Sequence, residues 1–241
     1  MPRLNDSTQL FKSISTLEVF RLATATPGDT ITTAALAAAA PSVSVSATTS
    51  FASADPVFII GDGGVELNAC GTPALAMPLK YKAAFAQSTG ARFVEAIGVN
   101  LGYLSEAGAT FSPSQSLTAI LSANSATPLN YITGSAELSA TFELLAFSGL
   151  NLHTMLGITE AETGVGTAAD PYQYVVGGAN IGTQGTQCFR LTGVLHSLQN
   201  FHLDFLNARI EVGGQMTFNR SAPAVYPVTI KFTNMVKRQW T

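Results

Sequence analysis

The residues whose types could do acid–base chemistry are few, and their spacing does not bring them together. His202 and Asp204 lie two positions apart in an alternating segment, 201–212, so they share one face of a predicted strand. We interpret them as a surface pair. Glu137 and Glu143 lie six positions apart on another predicted strand, which separates them by roughly 20 Å. That distance is too long for the paired-carboxylate chemistry of a glycosidase.

No motif for a nucleophile or for phosphate binding is recognisable. The Gly-x-Ser-x-Gly and Walker A patterns are absent. The glycine-rich residues 61–64 are followed by a predicted strand, 65–68, where a phosphate loop would lead into a helix, so they predict a hairpin turn. We therefore expect that the protein is not an enzyme, and we expect no catalytic residue, no metal-binding residue and no cofactor.

The two cysteines, Cys70 and Cys188, are 118 positions apart. This spacing fits neither a metal site nor a disulfide framework, and it predicts two buried thiols. A bond between neighbouring subunits, formed after release from the reducing cytosol, is the alternative.

Charge is scarce and unevenly distributed. Charged residues make up 11% of the 241 residues, against about 25% for an ordinary soluble domain. Such a surface favours a subunit that is covered by copies of itself; a secreted β-protein is the alternative. Between Phe93 and Phe189 there are seven acidic residues and no Lys or Arg, whereas the last 52 residues carry a net charge of +4. Acidic and basic faces could meet across subunits, or the acidic face could line a cavity; drift in composition is the alternative.

The chain divides into three predicted parts. Residues 1–22 have apolar residues spaced by three or four, which predicts a short amphipathic helix or an N-terminal arm. Residues 23–98 are predicted to form a β-rich subdomain, inserted or decorating. Residues 99–241 are predicted to form a β-sandwich core with a long loop at 158–187. The start of the chain lacks a signal-peptide core, and no segment has 18 uninterrupted apolar residues, so we expect no membrane association.

The clearest element is a strand over residues 131–147. Apolar residues at the even positions 138–146 alternate with polar ones, as a half-buried antiparallel strand requires. Its polar face carries Glu137, Ser139, Thr141 and Glu143. A short helix is predicted directly after it, over 148–157, with Ser148 as its cap and Gly157 at its end.

This order of elements resembles the tail tube proteins (major tail proteins) of tailed bacteriophages. The similarity lies in the long, outwardly polar strand followed by a helix that closes with Leu-Gly (131–157), and in the later strands between 189 and 232. Residues 51–61 are also similar to a small β-element of virion proteins. The resemblance implies a mainly β fold: an antiparallel β-sandwich or barrel with one short flanking helix, here with the extra N-terminal β-subdomain.

The resemblance also implies a function and partners. Tail tube subunits form rings, usually hexameric, that stack into a tube whose lumen conducts DNA during ejection. Implied partners are other copies of the chain and further tail proteins: a sheath if the tail contracts, the tape measure, the tail terminator and the baseplate. DNA would pass without specific binding. The protein would belong to the virion tail after assembly in the bacterial cytoplasm.

A conduit of this kind should not hold DNA, and Lys or Arg would attract its phosphates. We therefore predict that Glu137, Ser139, Thr141 and Glu143 face the lumen. Two other classes remain open. One is another virion subunit, such as a capsid decoration or head–tail connector protein, and the other is a carbohydrate-binding β-sandwich.

Overall fold

The structure is a computed structural model that describes residues 11–22, 28–120, 130–145, 187–195, 198–211 and 226–240, together with Thr167 and Ala169. These residues form antiparallel β-structure, and the described part of the chain contains no helix. The strands are β1 (Phe11–Leu22), β2 (Asp29–Ile31), β3 (Ser42–Ser44), β4 (Pro56–Gly61), β5 (Gly64–Ala69), β6 (Ala76–Pro78), β7 (Arg92–Ile120), β8 (Asn130–Leu144), β9 (Gln187–Leu195), β10 (Asn200–Leu206), β11 (Arg209–Glu211), β12 (Tyr226–Phe232) and β13 (Asn234–Trp240).

The larger unit is a sheet that closes on itself, which we call the closed sheet. Its hydrogen-bonded path runs β12–β8–β7–β1–β9–β10–β13. Only Thr233 separates β12 from β13, so one kinked strand forms both ends of this path. The segment that pairs with it, β10 followed by β11, is interrupted in the same way at Asn207 and Ala208. As a result β10 pairs with β13, and β11 pairs with β12. The predicted mainly antiparallel β fold is confirmed.

The interior of the closed sheet is filled by the apolar residues of its alternating strands. Phe142 and Phe205 meet edge to face with ring centroids 5.5 Å apart, and Phe205 packs on Phe232 at 4.9 Å. Such pairs add about 0.5–1.5 kcal/mol each to the stabilisation from burial. Fully buried aliphatic side chains complete this core, among them Leu17, Val19, Leu101 and Ile230.

Residues 28–91 form a small lobe beside the closed sheet. Its hairpin, β4–β5, pairs with the first residues of β7, and its own core surrounds Val57, Ile59 and Phe93. The predicted turn at residues 61–64 is confirmed. Gly64 has a φ of 110°, and a Cβ at Gly63 would collide with the carbonyl oxygen of Ala86, so glycine is required at both positions.

A third apolar cluster forms the seam between the lobe and the closed sheet. Phe58 and Leu67 of the lobe pack there with Phe20, Cys188 and Leu206. Strand β7 continues through both units, because Phe93 belongs to the lobe core and Leu101 to the interior of the closed sheet.

Residues 11–22 differ from the helix or arm expected from the sequence. They form β1, which pairs with β7 on one side and β9 on the other, and Leu17 and Val19 are fully buried. Its register shifts at three places, Phe11/Ser13, Ile14/Thr16 and Leu17/Glu18. The first two shifts place an extra residue in β1 and the third places one in β7. An extra residue in β1 interrupts the two-residue alternation of a strand, so apolar residues spaced by three mimic a helical pattern. The preceding residues, 1–10, lie outside the described residues.

Several further predictions also fall outside the described residues. The helix predicted over 148–157 does so entirely, and the loop 158–187 does so apart from Thr167, Ala169 and Gln187, which begins β9. In the described part of the chain, no helix is long and apolar enough to cross a membrane.

Candidate assembly surface

One outer face of the closed sheet is covered by small polar side chains, and we call it the polar wall. Ala140 and Phe142 of β8 are buried, and the intervening residues point outward as the sequence predicted. Ser139 Oγ donates to the carbonyl of Ser112 at 3.0 Å, and the hydroxyls of Thr141 and Thr229 lie 3.1 Å apart. By the register of β7, β8, β12 and β11, the wall comprises Thr110, Ser112, Ser114, Glu137, Ser139, Thr141, Glu143, Arg209, Glu211, Thr229 and Lys231.

The charges on the polar wall are nearly balanced, which the sequence did not indicate. Lys231 Nζ lies 2.8 Å from Glu137 and 3.5 Å from Glu211. Its hydrogen bond with Glu137 is the main cause of its raised pKa. Glu143 accepts a hydrogen bond from Ser105 Oγ at 2.9 Å. Lys231 is far from Glu137 along the chain, so only the pairing of β12 with β8 brings the two together.

Beyond the closed sheet, β7 and β8 continue as a two-stranded arm, residues 115–120 and 130–136. The two strands pair with each other as far as Ile120 and Asn130. Among the described strands, β12 pairs with β8 only from Leu138 onward, so no third strand reaches the arm. Every arm residue whose side chain is described is exposed.

The arm is also uncharged. From Ala107 to Ala136 the sequence contains no Asp, Glu, Lys, Arg or His. Ile132 is 57% exposed and Ile120 is 39% exposed; the register places them on one face of the ribbon, because Thr118 is opposite Ile132 and Asn130 is opposite Ile120. A two-stranded ribbon is marginally stable in water at best. Exposed apolar side chains on an edge or surface of this kind are a common feature of interaction sites.

Both cysteine thiols are buried. Cys70 lies in the lobe core and its Sγ donates to the carbonyl of Ala52 at 2.9 Å, whereas Cys188 lies in the seam. Burial raises the pKa of both thiols, which disfavours the reactive thiolate. This arrangement agrees with the predicted buried thiols. It does not fit a bond between subunits, which would require both sulfurs to reach the surface.

The opposite outer face of the closed sheet is covered by the lobe, and a buried ionic cluster joins the two. Asp204 accepts hydrogen bonds from Arg190 Nε at 2.7 Å and Nη2 at 3.0 Å, and from Arg238 Nη1 at 2.5 Å. Arg238 Nη2 also donates to Glu66 Oε1 of the lobe at 3.1 Å. Both carboxylates are fully buried, and the guanidinium side chains are only 15% and 10% exposed. We call Glu66, Arg190, Asp204 and Arg238 the ionic cluster.

His202 lies against this ionic cluster, on the same face of β10 as Asp204. The predicted shared face is confirmed, but the pair is buried and not on the surface, because the lobe covers it. The His202 ring meets Tyr81 and Trp240 edge to face, with centroids 5.1 Å away in each case. Its Nε2 atom has no hydrogen-bond partner and lies 3.7 Å from Asp204 Oδ2. Burial is the main cause that lowers the pKa of His202 to about 4.

Comparison with known proteins does not extend these observations. No protein-family model matches the chain, and no curated protein matches its sequence. Within the described ranges, no group of three or more His, Cys, Asp or Glu side chains could hold a metal ion. The polar wall, the arm and the ionic cluster are therefore the features on which a functional assignment can rest.

Proposed function

We propose that this chain is a structural subunit that assembles with copies of itself, and that the assembly is the tail tube of a tailed bacteriophage. The arm carries this proposal. It is uncharged, exposed on both faces and without a third strand among those described. In the assembly, a second copy of the chain would cover it.

The composition of the arm suits burial against a neighbouring subunit. Moving a charged group out of water is costly unless it is paired, and the arm has no charge before Glu137 at its base. Its serine and threonine hydroxyls can both donate and accept hydrogen bonds, while Ile120 and Ile132 supply apolar contact. A neighbouring subunit could therefore cover the arm without burying an unpaired charge.

The polar wall suits the lumen of such a tube. Phosphate groups are held by Lys and Arg, and that attraction dominates the binding of DNA. On the wall, Lys231 is engaged by Glu137 and Glu211, and the neighbouring side chains are mostly hydroxyls. We propose that Glu137, Ser139, Thr141 and Glu143 face DNA in transit, and that balanced charge keeps the DNA from binding.

The first test is the assembly state of the purified chain. Light scattering over a range of concentrations should show species larger than the 25.1-kDa subunit, and negative-stain microscopy should show tubes of stacked rings. Isolated rings would favour a head–tail connector instead. A single monomeric species at every concentration would contradict self-assembly.

A pair of variants tests the role of the arm. Ile132→Lys places a charge on the arm and should abolish assembly, because the neighbour would have to bury it unpaired. Leu75→Lys is the matched control, since Leu75 is 65% exposed but lies on the lobe. Circular dichroism should show that both variants fold. Normal tubes from Ile132→Lys would remove the arm from the subunit contact.

A further inference from the structure

The seam between the lobe and the closed sheet contains a histidine in an environment that opposes its charged form. His202 is 2% exposed, and its unpartnered Nε2 lies beside Asp204, which already accepts three hydrogen bonds from two guanidinium groups. A protonated Nε2 would therefore compete for a carboxylate that is already engaged.

Each element around His202 contributes a charged or polar group. Asp204 is on the same strand, Arg190 lies on β9 and Arg238 on β13, and Lys80 and Tyr81 belong to the segment between β6 and β7. Three of these groups are cationic and one is anionic. Glu66 supplies the second carboxylate of the seam. It accepts one hydrogen bond from Arg238 and another from the backbone amide of Ala84, the latter at 2.8 Å.

The contacts of the ionic cluster hold three parts of the chain together. Glu66 belongs to the lobe, Asp204 and Arg190 to the closed sheet, and Arg238 to β13, whose only partner among the described strands is β10. Trp240, at the end of β13, packs on both His202 and Tyr81 of the lobe. A loss of these contacts would release the lobe and β13 from the same site.

We propose that the ionic cluster and His202 form a proton-sensitive clasp, in which protonation of His202 loosens the attachment of the lobe and of β13 to the closed sheet. The clasp is a property of the single chain and does not depend on the proposed assembly. It would make the connection between the two units weaker in mildly acidic solution than at neutral pH.

The sign of the effect follows from proton linkage. The pKa of His202 falls from 6.5 to about 4 on folding, so its contribution to stability is complete above pH 6.5 and is lost as the pH falls toward 4. Glu66 works in the opposite direction, because burial raises its pKa and the folded chain then takes up its proton more readily than the unfolded chain. Removing His202 should therefore abolish or reverse the acid sensitivity of the seam.

Hydrogen exchange followed by mass spectrometry tests the clasp on the whole chain. After correction for the pH dependence of intrinsic exchange, the contribution of His202 should raise the opening equilibrium of residues 234–240 about thirtyfold from pH 8 to pH 5. The rise should vanish in His202→Phe, which keeps a ring between Tyr81 and Trp240 and removes both ring nitrogens, including the unpartnered Nε2. His202→Leu provides a second, smaller side chain if the phenyl ring does not fit.

The other two histidines provide matched controls. His153→Phe and His196→Phe should leave the acid sensitivity of residues 234–240 unchanged. The clasp is overturned if His202→Phe and His202→Leu retain the acid response of the wild type, if either control removes it, or if wild-type residues 234–240 exchange equally at both pH values.

Discussion

At the scale of single residues, Asp204 has the most consequential contacts in the described structure. It is fully buried and engages two guanidinium groups from different strands. Breaking one partner of a buried ion pair leaves an uncompensated charge, which costs more than the intact pair contributes. The main effect of Asp204 is therefore that its removal would leave buried guanidinium charges without a counter-charge. The net stabilisation from each of its hydrogen bonds is smaller than that cost.

We expect Asp204→Asn to lower the free energy of unfolding by about 3–5 kcal/mol, because two buried guanidinium groups would lose their shared carboxylate. Urea denaturation followed by circular dichroism measures this. The matched control is Asp29→Asn, which removes an ion pair with Arg92 whose side chains are 46% and 42% exposed; exposed pairs contribute about 1 kcal/mol or less. Equal losses in the two variants would contradict a special role for the buried ionic cluster.

The sequence allowed only half of this arrangement to be predicted. Alternation placed His202 and Asp204 on one face of a strand, but it could not show which face the lobe covers. The partners of Asp204 come from β9 and β13, and the β13 partner, Arg238, also binds Glu66, which is 172 positions from Arg238. Contacts over such separations depend on the order of strands in the sheet, and a local pattern does not contain that order.

At the scale of elements, the most unusual feature is the length of β7 and its continuation into the arm. The sequence predicted a division of the chain between residues 98 and 99, whereas β7 extends without a break from Arg92 to Ile120. Residues 110–116 are exposed on both faces, so nothing selects an alternation of apolar and polar side chains there. The strand β8 was predictable because one of its faces is packed on a core and the other is polar, and the turn of the hairpin β4–β5 was predictable from its glycine-rich residues.

We expect the arm to be dispensable for folding and required for assembly. Pro113 and Leu138 are paired, so the segment between them can be replaced by Asn-Gly, which forms a two-residue hairpin turn. The shortened chain should keep a cooperative unfolding transition and remain monomeric in light scattering. A chain that lacks the arm yet still forms tubes would show that another surface makes the subunit contact.

At the scale of the whole molecule, the two outer faces of the closed sheet differ in what covers them. One is covered by the lobe through apolar and ionic contacts, and the other, the polar wall, is left bare among the described residues. The uneven charge along the sequence predicted an acidic face, but the fold places Lys231 and Arg209, from the basic last 52 residues, on that same wall. The wall therefore has three acidic and two basic side chains.

We expect the double variant Glu137→Lys and Glu143→Lys to fold and assemble but to slow the passage of DNA. Glu137 is 53% exposed, and substitutions at exposed positions change stability by about 0.5 kcal/mol or less; Glu143 is half-buried and would also lose its hydrogen bond with Ser105. The new cations would bind phosphate. The measurement is DNA ejection from particles built with the variant, and particles carrying Asp29→Lys and Asp62→Lys on the lobe provide a control of equal charge change. Unchanged ejection from intact particles would place the wall outside the lumen.

The kinked strand that closes the sheet also constrains when the molecule can fold. Residues 226–240 leave the ribosome after every other strand of the closed sheet, yet they bridge β8 and β10 and bring Arg238 to Glu66. The early strand β1 likewise has to wait for β9 before one of its two edges is paired. Sheets closed by such distant segments fold slowly, and their unpaired edges are prone to aggregate meanwhile. The closed sheet and its ionic contact with the lobe can therefore be complete only after residues 226–240 have been synthesised, and the earlier strands have unpaired edges until then.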